Sequence, residues 1–501
     1  MSTGQRSVGK LFTIGDSISQ GFRSGCTAYT ENCYSTYLAR ALKVSEKNYR
    51  FLRWPEEKLK FDLERIFRLI QTRYGTDING LEWVRIFFDI SAFLDKAEDF
   101  YERGGGAVGL PIQGYPHNFT DNCAVEGMRV ADAWEVTPSL CEERIRQDPS
   151  GLSNNKGLAV ASSPFYRAAH RVLNPQASNQ YQEYSAIRWL QHAAESEGVD
   201  NLILWLGANN ALGTIFDLRV KMTPGSSASH GSRKNPQSPD YNLWHPKDFE
   251  HDYKLLLEKV IAALKNNKTT NWKVYVGTVP LVTIAPMLEG FGEARLVDDP
   301  RVPLGQAVKQ FRYYEYYKYY GVNESTAIRD ERKFMRFRDA LFIDKVIIEY
   351  NKIIRALVAK KNSELHRDAF VVVDIANVLS DMAWKRNNGM PSYVYPQELQ
   401  WMYPPLNTKF YRVSADGDIT DGGIFSLDGI HPTVIGQGII ASEFLKAFRE
   451  NGSAPSVASI DWDRVINEDS LRQSPIAVLH DIVEVDQAID FIVQAVSLLG
   501  K

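Results

Sequence analysis

Short apolar runs alternate with longer stretches of helical periodicity along this chain, and that alternation limits the fold more than any other feature. A run too short for a helix, bounded by amphipathic helices, reads as a buried strand. Strands separated by helices read as a parallel sheet covered on both faces. The runs are Leu11-Phe12-Thr13-Ile14, a stretch leading into Asn122-Cys123-Ala124-Val125, Leu202 to Leu206, Lys273 to Val279 and Ala369 to Asp374. Helical patterns occupy Tyr34 to Leu42, with Tyr34, Tyr37, Leu38 and Leu42 on one face, and residues 181–197, 250–265 and 337–361. Five strands so connected predict a flavodoxin-like, three-layer α/β/α sandwich with a parallel sheet, whose ligands sit beyond the carboxyl ends of the strands.

The spacing is looser than five strands need. Residues 45–115, 215–248, 286–336 and 380–425 read as insertions in one domain spanning 8–450, and residues 456–501 as a helical appendage. Within them, Pro224 to Pro246 is rich in Ser, Pro, Gly and Asn and predicts a mobile loop. The run Tyr313 to Tyr320 predicts an amphipathic helix packed on the core; a pocket lining or partner surface is the other reading. No internal repeat is present.

Composition narrows the partners. With 58 basic and 61 acidic residues the net charge is -3, so nothing draws the chain to nucleic acid or to an anionic membrane. No stretch approaches the roughly 18 apolar residues of a spanning helix. The first apolar run is broken by Gly15-Asp16 too early for a secretory signal. Four cysteines, Cys26, Cys33, Cys123 and Cys141, make neither a disulfide framework nor a CxxC pair, so a reducing, cytoplasmic setting is expected.

Three features placed where strands end carry chemistry. Ser17 closes Gly15-Asp16-Ser17 after the first run. A serine hydroxyl is a poor nucleophile without an adjacent base; at a strand-to-helix turn its oxygen is exposed while backbone N–H groups point to the same space. A plain turn with a helix cap would read the same way. Ser426-Leu427-Asp428-Gly429-Ile430-His431-Pro432 places an Asp and a His three residues apart, close enough for the carboxylate to hold one imidazole nitrogen while the other takes a proton. A capping Asp and a surface histidine are the alternative. Leu206-Gly207-Ala208-Asn209-Asn210 offers an amide donor to a developing oxyanion, although Asn and Gly also suit any turn. Asn122 to Gly127 ends in a glycine that lets a backbone N–H approach substrate closely.

The order and joint placement of these blocks resembles the SGNH hydrolase family, also called GDSL esterases/lipases. Ser17 matches the nucleophile of its first block, Gly127 the glycine of the second, with Asn122 and Asp132 around it, and Asn209 the asparagine of the third. Asp428 and His431 match the Asp-x-x-His of the last block, and Pro280 the proline that closes the fourth strand. The resemblance covers roughly residues 10–450 as a scattered core. It implies the SGNH hydrolase fold and a cofactor-free serine esterase. Ser17 would be acylated, His431 held by Asp428 would be the general base, and Ser17 N–H, Gly127 N–H and the Asn209 side chain would form the oxyanion hole. Each such donor contributes about 3–4 kcal/mol to the transition state. There are two departures: Asn210 stands where the family has Asp, which alters a supporting hydrogen bond rather than the chemistry, and Ile18 stands where leucine is common, a conservative swap.

Substrate identity stays open. A small-molecule, lipid or acylated-carbohydrate ester fits, as do a phospholipase or an acyltransferase with the same residues; a scaffold protein that kept the fold without turnover is the rival of another class. Trp401, Tyr403 and Tyr411 are candidate pocket residues, with residues 45–115 as the alternative wall. Other patterns are weaker. Gly4 to Lys10 nearly matches a phosphate loop but precedes a strand, and Gly104 to Gly109 fits GxGxxG with Pro111 in place of a helix. Asp416 to Gly423 lacks the later calcium ligands and reads as a turn-rich loop. The remaining histidines have no ligand-like spacing, so no metal site is expected.

Overall fold

In the computed structural model, which describes residues 9–76, 78, 82–148, 160–235, 239–303 and 305–480, the first apolar run forms β1 (Leu11–Gly15), buried at every position. Asp16 caps the one-turn helix α1 (Ser17–Gln20), its carboxylate accepting from the Ile18 N–H, so Ser17 is the first residue past the strand. α2 (Tyr34–Ala41) buries Tyr34, Tyr37 and Leu38 of its expected apolar face, and Leu42, which caps the helix, is buried with them. α3 (Ala186–Ser196) then feeds β2 (Asn201–Trp205), and α4 (Pro246–Ala263) feeds β3 (Lys273–Gly277). Two antiparallel strands, β4 (Leu288–Asp298) and β5 (Gln310–Tyr319), intervene before α5 (Phe337–Leu365) feeds β6 (Phe370–Val373). α6 (Ile375–Met382) and α7 (Val434–Glu450) follow.

The central sheet is parallel throughout, in the order β1-β2-β3-β6. Its strands read as apolar runs because both faces are covered. Phe444 of α7 stacks on Tyr34 at 5.0 Å and Phe448 on Tyr275 of β3 at 3.7 Å, while Phe249 of α4 stacks on Tyr350 of α5 at 3.9 Å. Each such burial contributes about 1.5–3 kcal/mol. None of the described helices is long and apolar enough to cross a membrane.

Four of the five expected strands form; the second does not. Residues 121–125 run beside β1, with Thr13 N–H donating to Asp121 O, Cys123 N–H to Thr13 O and Val125 N–H to Gly15 O, but only the Thr13–Asn122 bridge is strand-like. Within the segment, Asn122 Oδ1 accepts from the Ala124 N–H at 3.0 Å and Asn122 Nδ2 donates to Ser19 O at 2.9 Å, tying it to the end of α1.

Two more expectations are corrected. The tyrosine run is strand β5, not a helix: Phe311, Tyr313 and Tyr317 are buried on one face with period two, and aromatic side chains favour a pleated surface. The Ser- and Pro-rich segment 224–246 is stitched down where it is described. Arg144 donates to the carbonyls of Arg233 and Lys234, Arg129 to Gly231 O, and Ser232 to Glu135. Asp416 to Gly423 lies in a short hairpin, Arg412–Val413 pairing with Ile419–Asp421. Of the C-terminal segment, helices Trp462–Glu468 and Ser470–Gln473 are described, whereas residues 481–501 and most of Gly4 to Lys10 lie outside the described residues.

Candidate active site

Ser17, His431 and Asp428 meet at the carboxyl end of β1. Ser17 Oγ is 2.9 Å from His431 Nε2, and His431 Nδ1 is 2.9 Å from Asp428 Oδ2. All three side chains are buried. A neutral imidazole that donates through Nδ1 to a carboxylate presents Nε2 as an acceptor. The chain can therefore move the serine proton to the imidazole while the carboxylate balances the charge that appears.

The turn carrying Asp428 explains its reach. Ser426 N–H donates to His431 O and Gly429 N–H to Ser426 O, folding the carboxylate back onto the ring three residues later. Gly429 has φ +64, and a Cβ there would sit 2.7 Å from the Met287 nitrogen, so only glycine closes this turn without displacing backbone. The N–H groups of Gly25, Ile430 and His431 all donate to Asp428, and Ser24 N–H fixes Ser426 Oγ at 2.8 Å. Burial pushes the Asp428 carboxyl up, but the His431 charge and these hydrogen bonds outweigh it and hold the pKa below its ordinary value. Phe22 covers the imidazole, ring centroids 4.5 Å apart.

A turn at residues 125–130 is tied to β1, α1 and Asn209. The N–H of Val125 donates to Gly15 O, that of Glu126 to Gln20 Oε1, that of Met128 to Val125 O, that of Arg129 to Asp132 and that of Val130 to Asn210 Oδ1. Gly127 N–H is the exception: no described residue accepts from it, nor from the N–H of Ser17. Gly127 has φ +73, the left-handed region open to glycine. Asn209, in the single turn Ala208–Asn210 after β2, donates through Nδ2 to Met128 O at 3.1 Å and has a second N–H on the same atom. Asn210, standing where the resembling family has Asp, still accepts from Val130, and its own amide nitrogen is buried without a partner.

A cavity of about 730 Å³, counting its open mouth, is lined by Ser17, His431, Asp16 and Asn209 together with Leu212, Pro280, Ile284, Leu379, Met382, Ile439 and Ile440. Desolvation raises the Asp16 carboxyl to about 7, against the pull of the Ile18 N–H and of His431.

The structure thus brings Ser17, Asp428, His431 and Asn209 together and leaves the aromatic pocket candidates elsewhere. Trp401 and Tyr403 are 83% and 90% exposed, and Tyr411 is buried in a separate apolar cluster with Phe67 and Leu427, its hydroxyl donating to Leu471 O. None of the three lines the cavity. Sequence reasoning did not find Phe22, Ser24, Gly25 or the aliphatic wall; no local signal marks them, since each meets the site only through folding. Among the described residues, no group of three or more His, Cys, Asp or Glu side chains is placed to hold a metal ion.

A parallel α/β sheet with a buried serine, imidazole and carboxylate in line at a strand end is an arrangement that serine hydrolases use on several folds. The model of the GDSL-like lipase/acylhydrolase family matches residues 11–444, and the chain belongs to that family. No significant match to a curated protein or to a solved structure was found.

Proposed function

We propose that this protein is a serine esterase in which Ser17 attacks the carbonyl of a carboxylic ester, with His431 as base and Asp428 as its orienting partner. The observation that carries this reading is the unbroken chain from Ser17 Oγ through both imidazole nitrogens to Asp428 Oδ2, 2.9 Å at each step. The Ser17 proton passes to Nε2 as Oγ bonds to the carbonyl carbon. The tetrahedral adduct then collapses, His431 returns that proton to the departing alcohol, and an acyl-Ser17 remains. Water, deprotonated by His431, attacks the acyl group and releases the acid. The oxyanion is assigned to the N–H groups of Ser17 and Gly127 and the second N–H of Asn209 Nδ2; the open state of the two backbone donors supports this.

The aliphatic cavity supports a further assignment, an ester whose acyl part is an apolar chain rather than an acetyl group on a carbohydrate. A fluorophosphonate probe is expected to label Ser17 and to fail on Ser17→Ala, and p-nitrophenyl esters are expected to turn over faster from acetyl to octanoyl. Labelling at another residue would reject the nucleophile; a maximum at acetyl would reject the acyl assignment.

A further inference from the structure

Arg233 comes from segment 224–246, outside every sequence block of the site, yet it ends against the oxyanion turn. Its Nη2 donates to Gly127 O at 3.1 Å and its Nε to Asp132 Oδ2 at 2.9 Å. The guanidinium lies 3.6 Å above the centre of the Phe165 ring, and that same ring is what a Cβ on Gly127 would meet, at 3.5 Å. Asp132 is doubly committed, since it also accepts the Arg129 N–H of the turn at 2.9 Å. The arginine's own backbone is anchored in turn, its carbonyl accepting from both Nε and Nη2 of Arg144. Charge, stacking and backbone anchoring converge on one peptide.

We infer that Arg233 is a positioning residue of the oxyanion hole: by gripping the Gly127 carbonyl and bracing it on Asp132 and Phe165, it sets the direction of the Gly127 N–H. The inference rests on the assignment of that N–H to the oxyanion. The physical case is that Gly127 is the one residue of the turn with no side chain to lock it, and its φ is in a region that glycine leaves readily. The residues around it fix its neighbours; Arg233 fixes Gly127 itself. A planar fork reaches a carbonyl and a carboxylate at once, which a lysine ammonium on a flexible stem does not. A donor that must point at charge present only in the transition state gains from being held before that charge appears. Loss of the grip therefore lowers kcat and leaves ground-state binding largely as it was.

The test compares Arg233→Lys with the wild-type protein on a p-nitrophenyl ester, alongside affinity for a trifluoromethyl ketone, which forms a tetrahedral adduct with the serine. Expected are a fall in kcat of at least about tenfold, KM within about twofold, and a weakening of the ketone by the same factor as kcat. Phe165→Leu, which removes only the ring beneath the guanidinium, gives a smaller change of the same signature and stands in if Arg233→Lys does not fold. The inference is overturned if a folded variant keeps kcat within about twofold, or if thermal stability drops while kcat and ketone affinity fall out of step. Ser17→Ala separates the two levels. Retained turnover there rejects the serine esterase itself, whereas lost turnover there with unchanged Arg233 variants rejects only the role of Arg233.

Discussion

The two walls beside Ser17 are made of opposite materials. The turn at residues 125–130 is a web in which five of six consecutive N–H groups are engaged, with Arg233, Asn209 and Asn210 tying it from outside. The cavity beside Ser17 is walled by Leu212, Ile284, Leu379, Met382 and Ile439, side chains that bind without direction. Hydrogen bonds fix orientation, and orientation matters where charge develops; aliphatic contact is roughly proportional to area and tolerates a sliding chain. On the proposed reading, the contrast gives chemistry to one wall and substrate length to the other.

The strongest way to break that division is Asn209→Ala on the polar wall. It should lower kcat about 10²–10³-fold with KM nearly constant, while Leu379→Ala on the aliphatic wall leaves kcat for an acetyl ester almost unchanged. Steady-state kinetics on both variants decide it. Equal losses would erase the distinction.

A second test uses Asp16, the acidic group at the edge of the aliphatic cavity. Its carboxyl is raised to about 7 by burial, so the folded protein holds a proton that the unfolded chain has released above its ordinary value of 3.8. The unfolded state thus binds fewer protons, and stability falls as pH rises from about 4 through 7. Asp16→Asn, which keeps an acceptor for the Ile18 N–H, should remove about 2–3 kcal/mol of the stability difference between pH 5 and pH 8. Urea denaturation of both proteins at the two pH values measures it. An unaltered difference would mean that the cavity edge is wetter than its apolar walls imply.

The smallest effect concerns chain length. Ile439→Trp narrows the cavity and should cut kcat/KM for an octanoyl ester about tenfold relative to an acetyl ester. A parallel loss on both esters would place the acyl chain outside this wall and sharpen the search for its true path.

The amino-acid sequence by itself determined the alternation that yields β1, β2, β3 and β6, because strand and helix periods are set by neighbours a few residues apart. It also determined the identities of Ser17, Asp428 and His431, and the three-residue spacing that lets one turn join the last two. Family membership is legible at the same level, since the matching blocks keep their order along the chain. Tertiary structure alone decided the rest. Residues 121–125 kept only one strand-like bridge to β1, and Tyr313 and Tyr317 took a pleated face against the core. Trp401 and Tyr403, near Asp428 in sequence, turned to solvent, whereas Arg233, remote from it, reached the Gly127 carbonyl. Cavities, hydrogen-bond partners and orphan donors depend on segments hundreds of residues apart coming to rest together, and no local pattern carries that information.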